Sequence, residues 1–98
     1  SLRSAGTLIL DQGACEQLTS KGSSLLPVGV KESIGEYRRG DAVTCCDESG
    51  EEIGRGLINY SSSQVLKICG KPTSEIELQL GFLSEEELIH RDNFVLLG

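Results

Sequence analysis

The stretch from Gly35 to Tyr60 constrains the fold of this chain more than any other. It reads Gly35-Glu36-Tyr37-Arg38-Arg39-Gly40-Asp41, then Ala42-Val43-Thr44-Cys45-Cys46, then Asp47-Glu48-Ser49-Gly50, then Ile53-Gly54-Arg55-Gly56-Leu57-Ile58-Asn59-Tyr60. Two runs of apolar and β-branched residues are punctuated by Gly, Asp and Ser, a pattern of turn, strand, tight turn, strand. Gly54 and Gly56 fall inside the second strand, where glycine weakens pairing. They predict a bend, as at a barrel corner, or the close approach of another element. This is the skeleton of a small β-barrel.

The rest of the chain reads as short elements around that hairpin. Thr7–Leu10 fits a strand, and Asp11 is a good N-cap for a helix from Gln12 to Ser20, with Ala14, Cys15 and Leu18 on its apolar face and Gly22 as its stop. Val28 and Val30 flank Gly29, which predicts an edge or kinked strand. Ser61–Ser63 offer caps for a helix from Gln64 to Cys69, whose apolar side is Val65, Leu66, Ile68 and Cys69, ended by Gly70. Ser74 and Glu77 have the spacing of a capping box for a second short helix, stopped by Gly81. Glu85–Glu87 is a charge run and predicts a solvated face. Phe94–Leu97 is apolar throughout, which predicts a strand between neighbours that closes the sheet. The class is mainly β with short helices (α+β).

Ninety-eight residues support one domain with a modest core. No run reaches the roughly 18 apolar residues of a membrane span, and no basic segment leads into an apolar one as in a secretory signal. Residues 1–5, polar and patternless, read as a linker or expression scar. A cytoplasmic setting then predicts that Cys15, Cys45, Cys46 and Cys69 are free thiols and small hydrophobes. No metal centre is expected. There is no C-x-x-C pair, His90 is the lone histidine, and adjacent Cys45 and Cys46 point to opposite faces of a strand.

The net charge is −6 and is unevenly spread. Beyond Pro72 there are six acids and one base, whereas residues 1–72 are nearly balanced. That is a poor composition for gripping phosphate, which normally requires a basic face.

Two catalytic look-alikes fail on spacing. His90-Arg91-Asp92 resembles a protein-kinase catalytic loop, but the required Asn five residues after the Asp is Leu97. A turn role is expected instead, with Asp92 and Asn93 capping backbone donors and His90 and Arg91 pairing with Glu85–Glu87. Gly70-Lys71 would need a glycine five positions upstream to form a phosphate loop, and that position is Val65. No catalytic, cofactor-binding or metal-ligating residue can be assigned.

From Gly6 to Leu97 the chain resembles the C-terminal PUA domain of the glutamate 5-kinases. The matching pieces include Gly6-Thr7-Leu8, Asp11-x-Gly13-Ala14, Ser24-Leu25-Leu26-Pro27-x-Gly29-Val30 and Gly35-x-Tyr37-x-x-Gly40-Asp41-x-Val43. Gly56-Leu57-x-Asn59-Tyr60-Ser61, Gly70-Lys71, Leu80-Gly81 and Ile89-His90-Arg91-Asp92-Asn93 continue the match. Asn59-Tyr60-Ser61 with His90–Asn93 is the specific part. Cys45-Cys46 departs from the pattern, replacing an apolar or β-branched pair.

The resemblance implies a pseudo-barrel of about six strands spanning residues 6–98, plugged by short helices. Its structural motif would comprise Gly35, Gly40, Asp41, Gly56, Asn59, Tyr60, His90, Asp92 and Asn93. It also implies an N-terminal amino-acid kinase domain, absent from this chain, that uses ATP and Mg²⁺ to phosphorylate the γ-carboxylate of L-glutamate at the start of proline synthesis. The expected partners are that domain in cis and further copies of the parent enzyme, in a regulatory or assembly role. The alternative implied by other PUA domains is RNA binding, for which Lys21, Ser23, Arg38, Arg39 and Arg91 would form the surface.

Overall fold

A computed structural model describes residues 3–97. Positions 1 and 2 of the proposed linker and position 98 of the proposed domain lie outside the described residues. Ser4 and Ala5 are tied to the sheet, since the Ala5 N–H donates to the Ala42 carbonyl at 2.8 Å and the Thr44 hydroxyl donates to the Ser4 hydroxyl at 2.7 Å.

Five strands form one mixed sheet: β1 (Gly6–Leu10), β2 (Val30–Gly35), β3 (Ala42–Cys46), β4 (Glu52–Leu57) and β5 (Phe94–Leu96), in the order β2-β1-β3-β4-β5. Only β1 and β3 are parallel. Among the described residues an isolated antiparallel bridge also joins Leu25 and Ile89. Three helices surround the sheet: α1 (Gln12–Ser20), α2 (Ser62–Ile68) and α3 (Ile76–Leu80).

The central hairpin forms as the glycine spacing predicts. Its turn is organised by Asp47, whose Oδ1 accepts from the Ser49 N–H, the Ser49 hydroxyl and the Glu51 N–H at 2.6–3.0 Å. These bonds favour the charged form and hold the Asp47 carboxyl below its ordinary range. Gly40 takes φ +92°, a conformation open to glycine, and lets the Asp41 carboxylate accept the Arg38 N–H at 2.8 Å. Strand β3 is buried along its whole length, as befits a central strand covered on both faces. Burial pushes the Cys45 thiol up to about 12.

Gly54 and Gly56 are sites of close approach. A Cβ on Gly54 would lie 2.5 Å from the Phe94 ring and from the Val95 carbonyl oxygen. One on Gly56 would lie 2.6 Å from Ile89 Cγ2 and 3.0 Å from the Asn93 carbonyl oxygen. The glycines therefore admit the segment 89–95 against β4.

The caps sort by local chemistry. Asp11 caps α1 through the Ala14 N–H at 2.7 Å. Ser61 caps α2 in a reciprocal box with Gln64. Ser61→Ala is expected to cost about 1 kcal/mol, read as a lower urea midpoint at unchanged slope; an unchanged midpoint would refute the cap's contribution.

Several expectations are corrected. Pro27–Gly29 is a 3-10 turn, and the strand begins only at Val30. Leu66 lies on the exposed side of α2. The Ser74–Glu77 box does not form, because a 3-10 turn (Thr73–Glu75) leads into α3 and Glu75 occupies its N-cap without a side-chain bond. Strand β5 is an edge strand, with Val95 72% and Leu97 63% exposed; an apolar run alone does not say on which side its neighbours lie.

Candidate functional site

Asn59 and Tyr60 leave the end of β4 and grip the acidic segment. The Asn59 side-chain amide donates to the Glu87 carbonyl at 3.0 Å, and its backbone N–H donates to the Leu88 carbonyl at 2.8 Å. The buried Tyr60 hydroxyl donates to the Glu85 carbonyl and accepts the Glu85 N–H at 3.0 Å. Thus Glu85–Glu87 is docked through its backbone, while its side chains stay exposed or half-buried. Glu85 also turns its carboxylate to Arg39, at 3.2 Å.

Of the five surface residues, Ser23, Arg38, Arg39 and Arg91 are held by separate local contacts. Arg39 is bound at its start, donating to Ser84 and Glu85. Arg91 is held at its far end, where its backbone N–H donates to the Ser24 hydroxyl at 2.9 Å. Exposed Lys21 lies at the C-terminus of α1, and the Ser23 hydroxyl donates to the Gln17 side-chain oxygen at 3.0 Å. The backbone of Arg38 belongs to the Asp41 turn.

The His90–Asn93 motif also differs in detail. His90 is the capping group, its Nδ1 accepting the Asp92 N–H at 3.1 Å. The Asp92 carboxylate lies 3.5 Å from the same nitrogen. The expected pairing of His90 and Arg91 with Glu85–Glu87 is replaced by the Arg39–Glu85 pair.

An open groove of about 560 Å³ runs between α1 and the 24–29 segment. Of the five surface residues only Ser23 lines it. The charged groups on its wall are Asp11 and Glu87, both acidic. Among the described residues no His, Cys, Asp and Glu cluster could hold a metal ion, and no buried side-chain nitrogen or oxygen lacks a hydrogen-bond partner.

Residues 6–79 match the family model described as "PUA domain". The chain belongs to the PUA domain family. Its fold is that of a PUA domain from Aeropyrum pernix K1, solved as a tartrate complex, at a TM-score of 0.64, 22% identity and coverage of 88% of this chain and 41% of that one. A conserved PUA domain protein from Thermoplasma acidophilum matches 61% of this chain and 39% of its own, at a TM-score of 0.56 and 23% identity. Among curated relatives, glutamate 5-kinase from Herminiimonas arsenicoxydans is 54% identical over 96 residues, and that from Pseudomonas paraeruginosa is 51% identical over the same length. Each match takes in 98% of this chain and 26% of the relative. This PUA domain therefore spans about a quarter of the length of the curated relatives that it matches.

The Asn59–Tyr60 clamp was missed as an interaction from sequence. Its partners are backbone groups 25 and 28 residues away, which no side-chain pattern announces.

Proposed function

We propose that this chain, over residues 6–98, is the accessory PUA domain of a glutamate 5-kinase, and that it acts on the assembly or regulation of the enzyme. In this reading the kinase domain lies N-terminal to it in the same polypeptide and supplies the ATP and Mg²⁺ sites. The parent would phosphorylate the L-glutamate γ-carboxylate in the cytoplasm, and the domain carries no chemistry of its own. The supporting observation is the match to glutamate 5-kinases along nearly the whole chain, at 54% identity to one of them.

The acidic groove wall weighs against the RNA reading. Asp11 and Glu87 would repel a phosphate backbone, and the net charge of −6 adds to that.

The test compares the full enzyme with a version lacking this domain. A change in oligomer mass, Mg²⁺ dependence or proline inhibition is expected; identity in all three would overturn the proposal. A filter-binding titration of the domain against RNA at low salt should show no salt-sensitive retention. Tight binding that weakens steeply with salt would favour the RNA module instead.

A further inference from the structure

The two edges of the sheet are treated very differently. At one, β2 carries Lys31 and Glu32, Lys31 pairs with Glu48 at 3.3 Å, and the pairing with β1 is bulged at Ile9/Leu10. Charges and bulges are the usual guards against edge pairing. At the other, β5 is Phe94-Val95-Leu96, followed by Leu97, with no charged residue; Val95, Leu96 and Leu97 are all exposed.

The hydrogen-bond phase of β5 decides what that edge can accept. The Leu97 N–H donates to the Ile53 carbonyl at 2.9 Å. In an antiparallel ladder the bonded residues alternate, so Val95 also faces β4, opposite Arg55, while the backbone groups of Phe94 and Leu96 point outward. The Phe94 N–H is used in the turn, donating to the Arg91 carbonyl. What remains on the open edge is the Phe94 carbonyl and the Leu96 N–H and carbonyl.

We propose that β5 pairs antiparallel with β5 of a second copy of this chain, about a two-fold axis beside Val95. Around a non-bonded pair of residues in an antiparallel ladder, the residue after each donates to the carbonyl of the residue before the other. With Val95 opposite Val95 of the second copy, each Leu96 N–H meets the other copy's Phe94 carbonyl. The free donor and acceptor of one edge are therefore complementary to themselves, as an isologous contact requires. The strand itself brings no charged side chain to the contact. The exposed Val95 side chains would meet across the closely spaced pair. A three-residue strand buries too little for a tight dimer, so the contact is weak in the isolated domain and strengthened where other contacts already join two copies. The inference needs only this chain and does not depend on which enzyme carries it.

The test is sedimentation equilibrium of the 98-residue chain over a wide concentration range, with Val95→Lys and Val95→Glu beside the parent. Val95 is exposed, so both variants should keep the parent circular dichroism. The parent should show concentration-dependent dimer. Each variant alone should weaken it roughly tenfold or more, since like charges face each other. An equimolar mixture of the two should recover a heterodimer. In parallel, a Val95→Cys variant should form a disulfide between the introduced thiols of two copies under mild oxidation, faster than a control with Ile34→Cys on the guarded edge. A monomer at every concentration, a dimer indifferent to Val95→Lys, or equal cross-linking at the two edges would overturn the proposal. None of those outcomes touches the assignment to glutamate 5-kinase.

Discussion

Gly54→Ala is expected to lower the unfolding free energy by about 2 kcal/mol or more, because it overpacks a site with no room. The new methyl would meet two obstacles at 2.5 Å, and only one is a side chain. The Phe94 ring can turn aside at a cost in packing, but the Val95 carbonyl oxygen belongs to the ladder that joins β5 to β4. Relief therefore means pushing β5 away. For a domain of this size about 1 kcal/mol moves the melting temperature by roughly 4–8 °C, so the loss is readily seen by calorimetry. Gly50→Ala is a poor control because Gly50 has φ +92°; Gly13→Ala, whose nearest outside contact is an ordinary 3.6 Å, is the fair one. Equal melting temperatures for Gly54→Ala and Gly13→Ala would show that β5 yields freely.

The second large effect is a coupling. Ile89→Ala removes a fully buried side chain and should cost about 2–5 kcal/mol. Gly56→Ala alone should cost about 1–3 kcal/mol, since its methyl would press on Ile89 Cγ2 at 2.6 Å and Cδ1 at 3.2 Å. Ile89→Ala deletes both of those atoms. The double variant should then be less damaged than the sum, with a coupling of about 0.5–3 kcal/mol by a double-mutant cycle in urea. The Asn93 carbonyl oxygen, 3.0 Å from the same point, is backbone and stays, so full recovery is not expected. Strict additivity would mean that Gly56 is small for some reason other than Ile89.

These glycines illustrate what could be read in advance. Two glycines in one strand announced a close neighbour, but not which one, because Phe94 and Ile89 arrive from more than thirty residues away. Local chemistry was legible wherever a few consecutive residues satisfy one another. Asp11 with the N–H of Ala14, and Asp47 with Ser49 and Glu51, are such cases. Strand β2 was mostly hidden because an edge strand with solvent on much of its surface has little apolar alternation to display; of its residues only Val30 is buried. The end of the chain misled in the opposite way, since Val95, Leu96 and Leu97 look like core and are in fact exposed, while only Phe94 packs against the core. The basic residues were identifiable as types, but only the fold sends Arg39 to Glu85 and leaves the α1 groove with carboxylates.

The order of the sheet has a consequence for synthesis. Strand β4 follows β3 after a five-residue turn, so that hairpin can close as soon as it is made. Its other edge must wait for Phe94–Leu96, and Leu25 must wait for Ile89. A ribosome adding roughly 5–20 residues per second leaves β4 without its last neighbour for seconds. During that interval Gly54 and Gly56 face water on a bare strand edge, a surface on which a chaperone or a neighbouring nascent chain can act before the domain is whole.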